Sequence, residues 1–208
     1  MLAESLPEVA VVPAQANLAA QLAFLREIDA LKHVYRRTTV MDGSRRENSA
    51  EHSWHIALAA LVLAEHADEP VEVGKVVKLL LLHDIVEIDA GDTFAYDQVG
   101  KASQAAREDA AANRIFGLLP DGQARELRAL WDEFEAKETP EARFAHAVDR
   151  LLPVLHNFAT GGGSWHNHGV NYAMVVERMR PLAENSTALW AWLHGLLDEA
   201  VRRGYLAE

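Results

Sequence analysis

The chain has 208 residues, of which 50% are hydrophobic and 25% charged, with a formal net charge of −11. That length suits one globular domain, and the acidic balance argues against long nucleic acid, whose binding depends on summed phosphate neutralisation. A small phosphorylated ligand stays open, because a metal and a few arginines can invert the local field. Cysteine is absent, which excludes disulfides and thiolate zinc sites and fits a reducing cytoplasm. No window holds the eighteen or more apolar residues of a membrane span. The first fifteen residues carry Glu4 and Glu8 but no Lys or Arg, unlike a signal peptide, so residues 1–16 read as an extension and 17–208 as a single domain.

Apolar spacing is helical nearly throughout, so the expected fold is all-α, a bundle of seven to nine helices. A first helix is expected over about residues 17–34, with Asn17 as N-cap and Leu18, Leu22, Leu25, Ile28 and Leu31 on one stripe. A basic, turn-rich segment follows from Arg36 to Arg46, with Asp42-Gly43 at its centre. A second helix runs from about Ser49, which can cap it, to Ala67. A third covers about residues 71–84 and becomes apolar all round, as an interior helix does. Further helices are expected at about 101–117, 121–137, 140–159, 170–182 and 185–203. The three glycines at 161–163 predict a mobile loop over 161–171. The stretch at 131–138 reads as a solvated face with a Glu133–Lys137 pair. His156-Asn157 and Trp165 to His168 read as surface polar groups or a lid, and Trp190 and Trp192 as packing or dimer contacts.

His83-Asp84 ends the most apolar helix, after Leu79 to Leu82. A buried carboxylate there needs a cation or several donors, and one metal ion satisfies an adjacent imidazole and carboxylate together. His52 opens the second helix, and Asp149 sits mid-helix among Phe144, Val148, Leu151 and Leu155. Pro153, four residues on, cannot donate to the carbonyl of Asp149 and predicts a kink that positions it. His55 shares a helical face with His52 and reads as a neighbour of the site or a core residue, since there is no HExxH pattern.

In order and separation, His52, His83-Asp84 and Asp149 resemble the H…HD…D pattern of the HD-domain metal-dependent phosphohydrolases. The segments RRENSAEHSWHIALAA, LLLHDIVEIDAGD and AVDRLL look like the branch of bacterial 5′-deoxynucleotidases and their eukaryotic relatives. The likeness spans roughly residues 20–160. It implies an HD-domain helical bundle that binds one divalent ion (Mn²⁺, Co²⁺, Fe²⁺ or Mg²⁺) through His52, His83, Asp84 and Asp149. It further implies that Glu87 orients or deprotonates water and that Asp92 serves the leaving group. Arg37, fifteen residues before His52, corresponds to the family's phosphate arginine, with Arg36, Arg45 or Arg46 as alternatives. The implied protein is a cytoplasmic, dimeric enzyme that releases phosphate from nucleoside 5′-monophosphates. An HD-type phosphodiesterase or nucleotide-messenger hydrolase, and a non-catalytic metal- or nucleotide-binding regulator, are the other readings.

Overall fold

The computed structural model describes residues 13–93 and 98–208. Residues 1–12 of the expected extension, and Asp97, lie outside them. Helix α1 spans Pro13–Ile28 and passes into a 3-10 turn over Asp29–His33, so it starts before Asn17 and ends before residue 34. Its Leu18, Leu22 and Leu25 face outward, while Phe24 and Leu31 are buried.

The basic segment is not a mere turn. Tyr35–Thr39 (β1) and Arg46–Asn48 (β2) pair antiparallel, with an irregular register between Tyr35 and Thr39. The strands are too short for period-two alternation to show in the sequence, yet the alternation operates. Arg36 and Thr38 turn inward from β1, while β2 exposes Arg46 and buries Glu47. Asn48, rather than Ser49, caps helix α2 (Ser49–Leu63): its side chain accepts from Glu51 N, and Glu51 reaches back to the Asn48 amide. This reciprocal cap fixes the entry of the helix that carries His52.

Helix α3 (Val73–Leu82) ends one residue before His83, and His83–Val86 form a 3-10 turn leading into α4 (Glu87–Ala90). The tightened turn rotates His83, Asp84 and Glu87 to one side, all buried. Helix α4 ends at Gly91, whose φ of 75° lets the chain reverse at Asp92. Helices α5 (Gln98–Phe116), α6 (Asp121–Ala136) and α7 (Pro140–Ala159) lie close to the expected ranges. Thr139 caps α7 with Pro140 in its first turn, where the missing amide costs nothing. The helix runs unbroken through Pro153, so no interruption isolates Asp149.

Glycines 161–163 do not open a loose loop. They lead into α8 (Gly163–His168), held by Asn157. Oδ1 of Asn157 accepts from Ser164 N at 2.7 Å, Ser164 Oγ at 2.9 Å and Trp165 N at 3.3 Å. Gly162 adopts φ 107°, and a Cβ there would lie 2.5 Å from the carbonyl oxygen of Tyr205. The glycines therefore serve a close approach instead of mobility. The expected 170–182 helix divides into α9 (Tyr172–Arg178) and α10 (Arg180–Asn185), and α11 (Thr187–Arg202) closes the chain. The described residues thus hold eleven α-helical segments rather than seven to nine, the excess being short pieces such as α4 and α8.

Helix α7 is the axis of the packing. One side joins α2 and α3 through Ile56, Ala60, Val76, Leu79, Leu80, Phe144 and Val148. Another joins α9 to α11 through Leu151, Met179, Leu182, Leu193 and Leu197. A third cluster gathers Phe24, Val86, Ile115, Phe116 and Trp131 against the 3-10 turn of His83. Each fully buried side chain of this size contributes about 1.5–3 kcal/mol by leaving water. The site residues are therefore held between packed helices. No helix among the described residues is long and apolar enough to cross a membrane.

Candidate metal and phosphate site

His83 and Asp84 from the 3-10 turn and Asp149 from α7 line a cavity of about 480 Å³, and His52 from α2 is fully buried behind Asp149. Nε2 of His52 lies 2.9 Å from Asp149 Oδ1, and Nε2 of His83 lies 3.8 Å from the same oxygen. Asp84 Oδ1 is 2.9 Å from His83 Nε2. His83 Nδ1 lies 2.8 Å from the carbonyl of Leu80 and donates to it, which leaves Nε2 as the free nitrogen. That nitrogen is buried and lies within ion-pair distance of both carboxylates without an aligned hydrogen bond to either. Separations near 3 Å between donor atoms are what bonds of about 2.0–2.2 Å to one ion require. A buried imidazole nitrogen facing two carboxylates fits a divalent cation, and His52, His83 and Asp149 each place one ligand atom within 4.8 Å of the other two, close enough to share one.

The electrostatics agree. Burial opposes charge on His83, but Asp84 and Asp149 prevail and raise its pKa well above the usual histidine value. Burial alone would raise Asp149, yet His52 and His83 hold it well below the usual carboxylate range. Among the protein's own groups, positive charge on His83 balances carboxylates that burial would otherwise discharge. A divalent ion would take over that role.

Glu87 stands beside this group and accepts from Ser49 Oγ at 2.6 Å. Its burial, then Asp84 and Asp92, push its pKa well above the ordinary value despite Arg36. Asp92 is raised too, chiefly by burial, with Arg36 opposing and Asp84 adding. Arg36 Nη1 donates to Asp84 Oδ2 at 2.8 Å and lies 3.9 Å from Asp92 Oδ1. Burial works against its charge, but Asp84, Glu87 and Asp92 keep it firmly protonated. Arg37 is exposed and lines the same cavity. Arg46 and Arg45 do not line it; Arg46 is exposed and Arg45 is committed to Glu51 by two bonds of 2.8 Å. That removes Arg46 from the phosphate candidates and leaves Arg36 and Arg37.

Three features escaped the sequence reading. Glu47 is buried with Oε2 3.5 Å from His52 Nδ1, so a carboxylate faces the second nitrogen of a site histidine. His146 stacks on Phe134 with ring centroids 3.9 Å apart, and Phe134 abuts His83 at 4.9 Å. Trp131 Nε1 donates to the carbonyl of His83 at 3.2 Å. The stretch at 131–138 therefore supports the site instead of forming only a solvated face, and Glu133 pairs with Lys75 at 2.7 Å, not with Lys137. His156 and Asn157 are buried, contrary to a surface assignment, whereas His166 and His168 are exposed.

The HD domain family model matches residues 28–190, a span that contains every one of these site residues. The chain belongs to the HD domain family. It is 54% identical to a predicted metal-dependent phosphohydrolase from Magnetospirillum magnetotacticum MS-1, whose crystal structure superposes with a TM-score of 0.89. That likeness covers 96% of this chain and 100% of the other. Among curated HD relatives, the 5′-deoxynucleotidase HDDC2 of Homo sapiens is 33% identical over 135 residues, and that of Danio rerio 34%. The human match covers 64% of this chain and 65% of the relative's length. The HD-domain protein YGK1 shares the fold at a TM-score of 0.57 with 18% identity.

Proposed function

We propose that this HD-domain chain is a metal-dependent phosphohydrolase that releases phosphate from nucleoside 5′-monophosphates, deoxynucleotides in particular. The observation that carries the proposal is the convergence of His52, His83, Asp84 and Asp149, with a buried nitrogen on His83 that has no aligned hydrogen bond, beside the raised carboxyl of Glu87. The names of the curated relatives and of the Magnetospirillum protein support it.

A divalent ion at these four ligands supplies an acidified water and a sink for phosphoryl charge. Imidazoles with two carboxylates suit Mn²⁺, Co²⁺, Fe²⁺ or Mg²⁺ better than a closed tetrahedral zinc centre. Glu87, whose pKa burial and Asp84 raise and whose carboxylate Ser49 fixes, would take the proton of the attacking water. Asp92, also raised, carries a proton for the departing 5′-oxygen. Arg36 bridges toward Asp84 and Asp92 and presents charge to the phosphate, with Arg37 beside it at the mouth. The rest of the cavity runs past Asn157, Trp165 and Arg178, and its volume is in the range of small-molecule sites.

The proposed assembly is a homodimer working in the cytoplasm. Exposed Leu18, Leu22 and Leu25 on α1, with Trp54, Leu58, Leu61 and Val62 on α2, form apolar stripes at helical spacing that a second copy would cover. Light scattering on the purified chain tests this. The activity itself is tested by orthophosphate release from a panel of ribo- and deoxynucleoside 5′-monophosphates with Mn²⁺ or Co²⁺. Release should vanish in chelator and in Asp84→Ala. No turnover across the panel refutes the proposal, and a new monoester from a diester substrate would move the assignment to a phosphodiesterase.

A further inference from the structure

Behind His52, on the side away from Asp149, a second group of potential ligands comes together. Glu47 comes from β2, His55 from α2 and His156 from the last turns of α7. One ligand atom from each lies within 4.8 Å of the other two. His156 Nδ1 is 3.7 Å from Glu47 Oε2, and the rings of His55 and His156 face one another at 5.6 Å with a tilt of 32°.

Hydrogen bonding does not account for this cluster. Glu47 Oε2 and His156 Nδ1 are both buried without a hydrogen-bond partner, and so is His52 Nδ1 nearby. A gap of 3.7 Å exceeds the usual N–H···O limit of about 3.2 Å. It is close to the separation of about 3.4 Å between ligand atoms around a tetrahedral ion with bonds of about 2.1 Å. Arg36 Nε, at 3.9 Å from Glu47 Oε2, is also too far to satisfy it. His52 Nδ1, at 3.5 Å, also lies beyond that limit, so two buried polar atoms from separate elements stand close together unsatisfied, with a third potential ligand, half-buried His55, beside them.

We infer that Glu47, His55 and His156 form a second divalent-metal site, distinct from the one at His83 and Asp149. Two imidazoles and one carboxylate, with no thiolate in the chain, make a set suited to Zn²⁺ or Co²⁺, with water completing a tetrahedron. The two sites meet at His52: its Nε2 faces Asp149 and its Nδ1 faces Glu47. An ion on Glu47 therefore fixes the carboxylate that backs a ligand of the first site, and its loading steadies the orientation of His52.

The test counts ions. Purified full-length protein is stripped with chelator, reloaded with Zn²⁺, desalted and analysed by plasma mass spectrometry, with a parallel Co²⁺ sample read by visible absorption. Two ions per chain are expected in the parent, and one in His55→Gln and in His156→Gln. The Co²⁺ bands lost in these variants should have tetrahedral intensity. Asp149→Ala should lose the other ion and keep this one, which separates failure here from failure of the hydrolase reading. Because His55 is only half-buried, His55→Gln leaves the core intact if His156→Gln impairs folding. A His55→Gln protein that binds as many ions as the parent overturns the second site.

Discussion

Lowering the pH should destabilise this protein in part through His146. Its imidazole is buried, stacked on Phe134, and its Nε2 donates to the Phe134 carbonyl at 2.8 Å. Burial depresses its pKa to about 3, although Asp149 pulls the other way. The unfolded chain takes up this proton near 6.5, whereas the folded chain refuses it until about 3. The effect is nil above 6.5 and grows into a penalty as the pH falls between these values. From pH 7 to pH 5 the penalty increases by about 2 kcal/mol, at 1.36 kcal/mol per pH unit once the unfolded form is protonated. Urea unfolding of the parent and of His146→Gln, each at pH 7 and pH 5, isolates the term as a difference of differences. Gln keeps a donor for the Phe134 carbonyl but cannot titrate. The parent should lose about 2 kcal/mol more than the variant over this interval. Equal losses would show that His146 titrates normally in the fold and would remove the argument.

Other outcomes follow from the site. Glu87→Gln should keep its metal content and lower kcat about 10²- to 10⁴-fold, the usual range for a general base; metal analysis beside a phosphate assay checks both halves. Metal affinity should fall as the pH drops from 8 to 6, because an ion must displace the proton that Asp84 and Asp149 favour on His83, and competition titrations with a chromophoric chelator read this directly. Asn157→Ala removes three bonds into the start of α8 and should cost about 1–3 kcal/mol in urea unfolding, with faster hydrogen exchange at Ser164 and Trp165. Asn48→Ala breaks the reciprocal cap of α2 and should cost about 1 kcal/mol by the same unfolding assay.

Much of the architecture was legible because long amphipathic helices announce themselves. The ranges of α5, α6, α7 and α11 differ from expectation only at their ends. His83-Asp84 was legible for a related reason: a charged pair after four leucines has to be either solvated or ligated. Glu47 was not, since an acidic residue between Arg46 and Asn48 in a basic stretch looks solvated. Only the pairing of β1 with β2 turns it inward, and a three-residue strand carries too little alternation to reveal that. A signal for the cavity face of α7 did exist. His146, Asp149, Pro153 and Asn157 recur at spacings of three and four along the helix, and all four line the cavity. The triple glycine misled because glycine permits both disorder and close approach, and the choice rests on what Asn157 and Tyr205 bring to it.

On the proposed reading, the division of labour among the carboxylates comes from their surroundings rather than from their type. Asp149 faces two imidazoles and stays ionised, which is what a ligand requires. Glu87 is just as enclosed, but burial together with Asp84 and Asp92, of its own sign, outweighs Arg36, so it holds a proton far more readily. Carboxyl groups driven apart in this way take different tasks, one fixed as an anion and the other exchanging a proton. Arg36 completes the separation by pairing with Asp84 instead of Glu87. Had that guanidinium met Glu87 directly, the same side chains would make a binding site with no base.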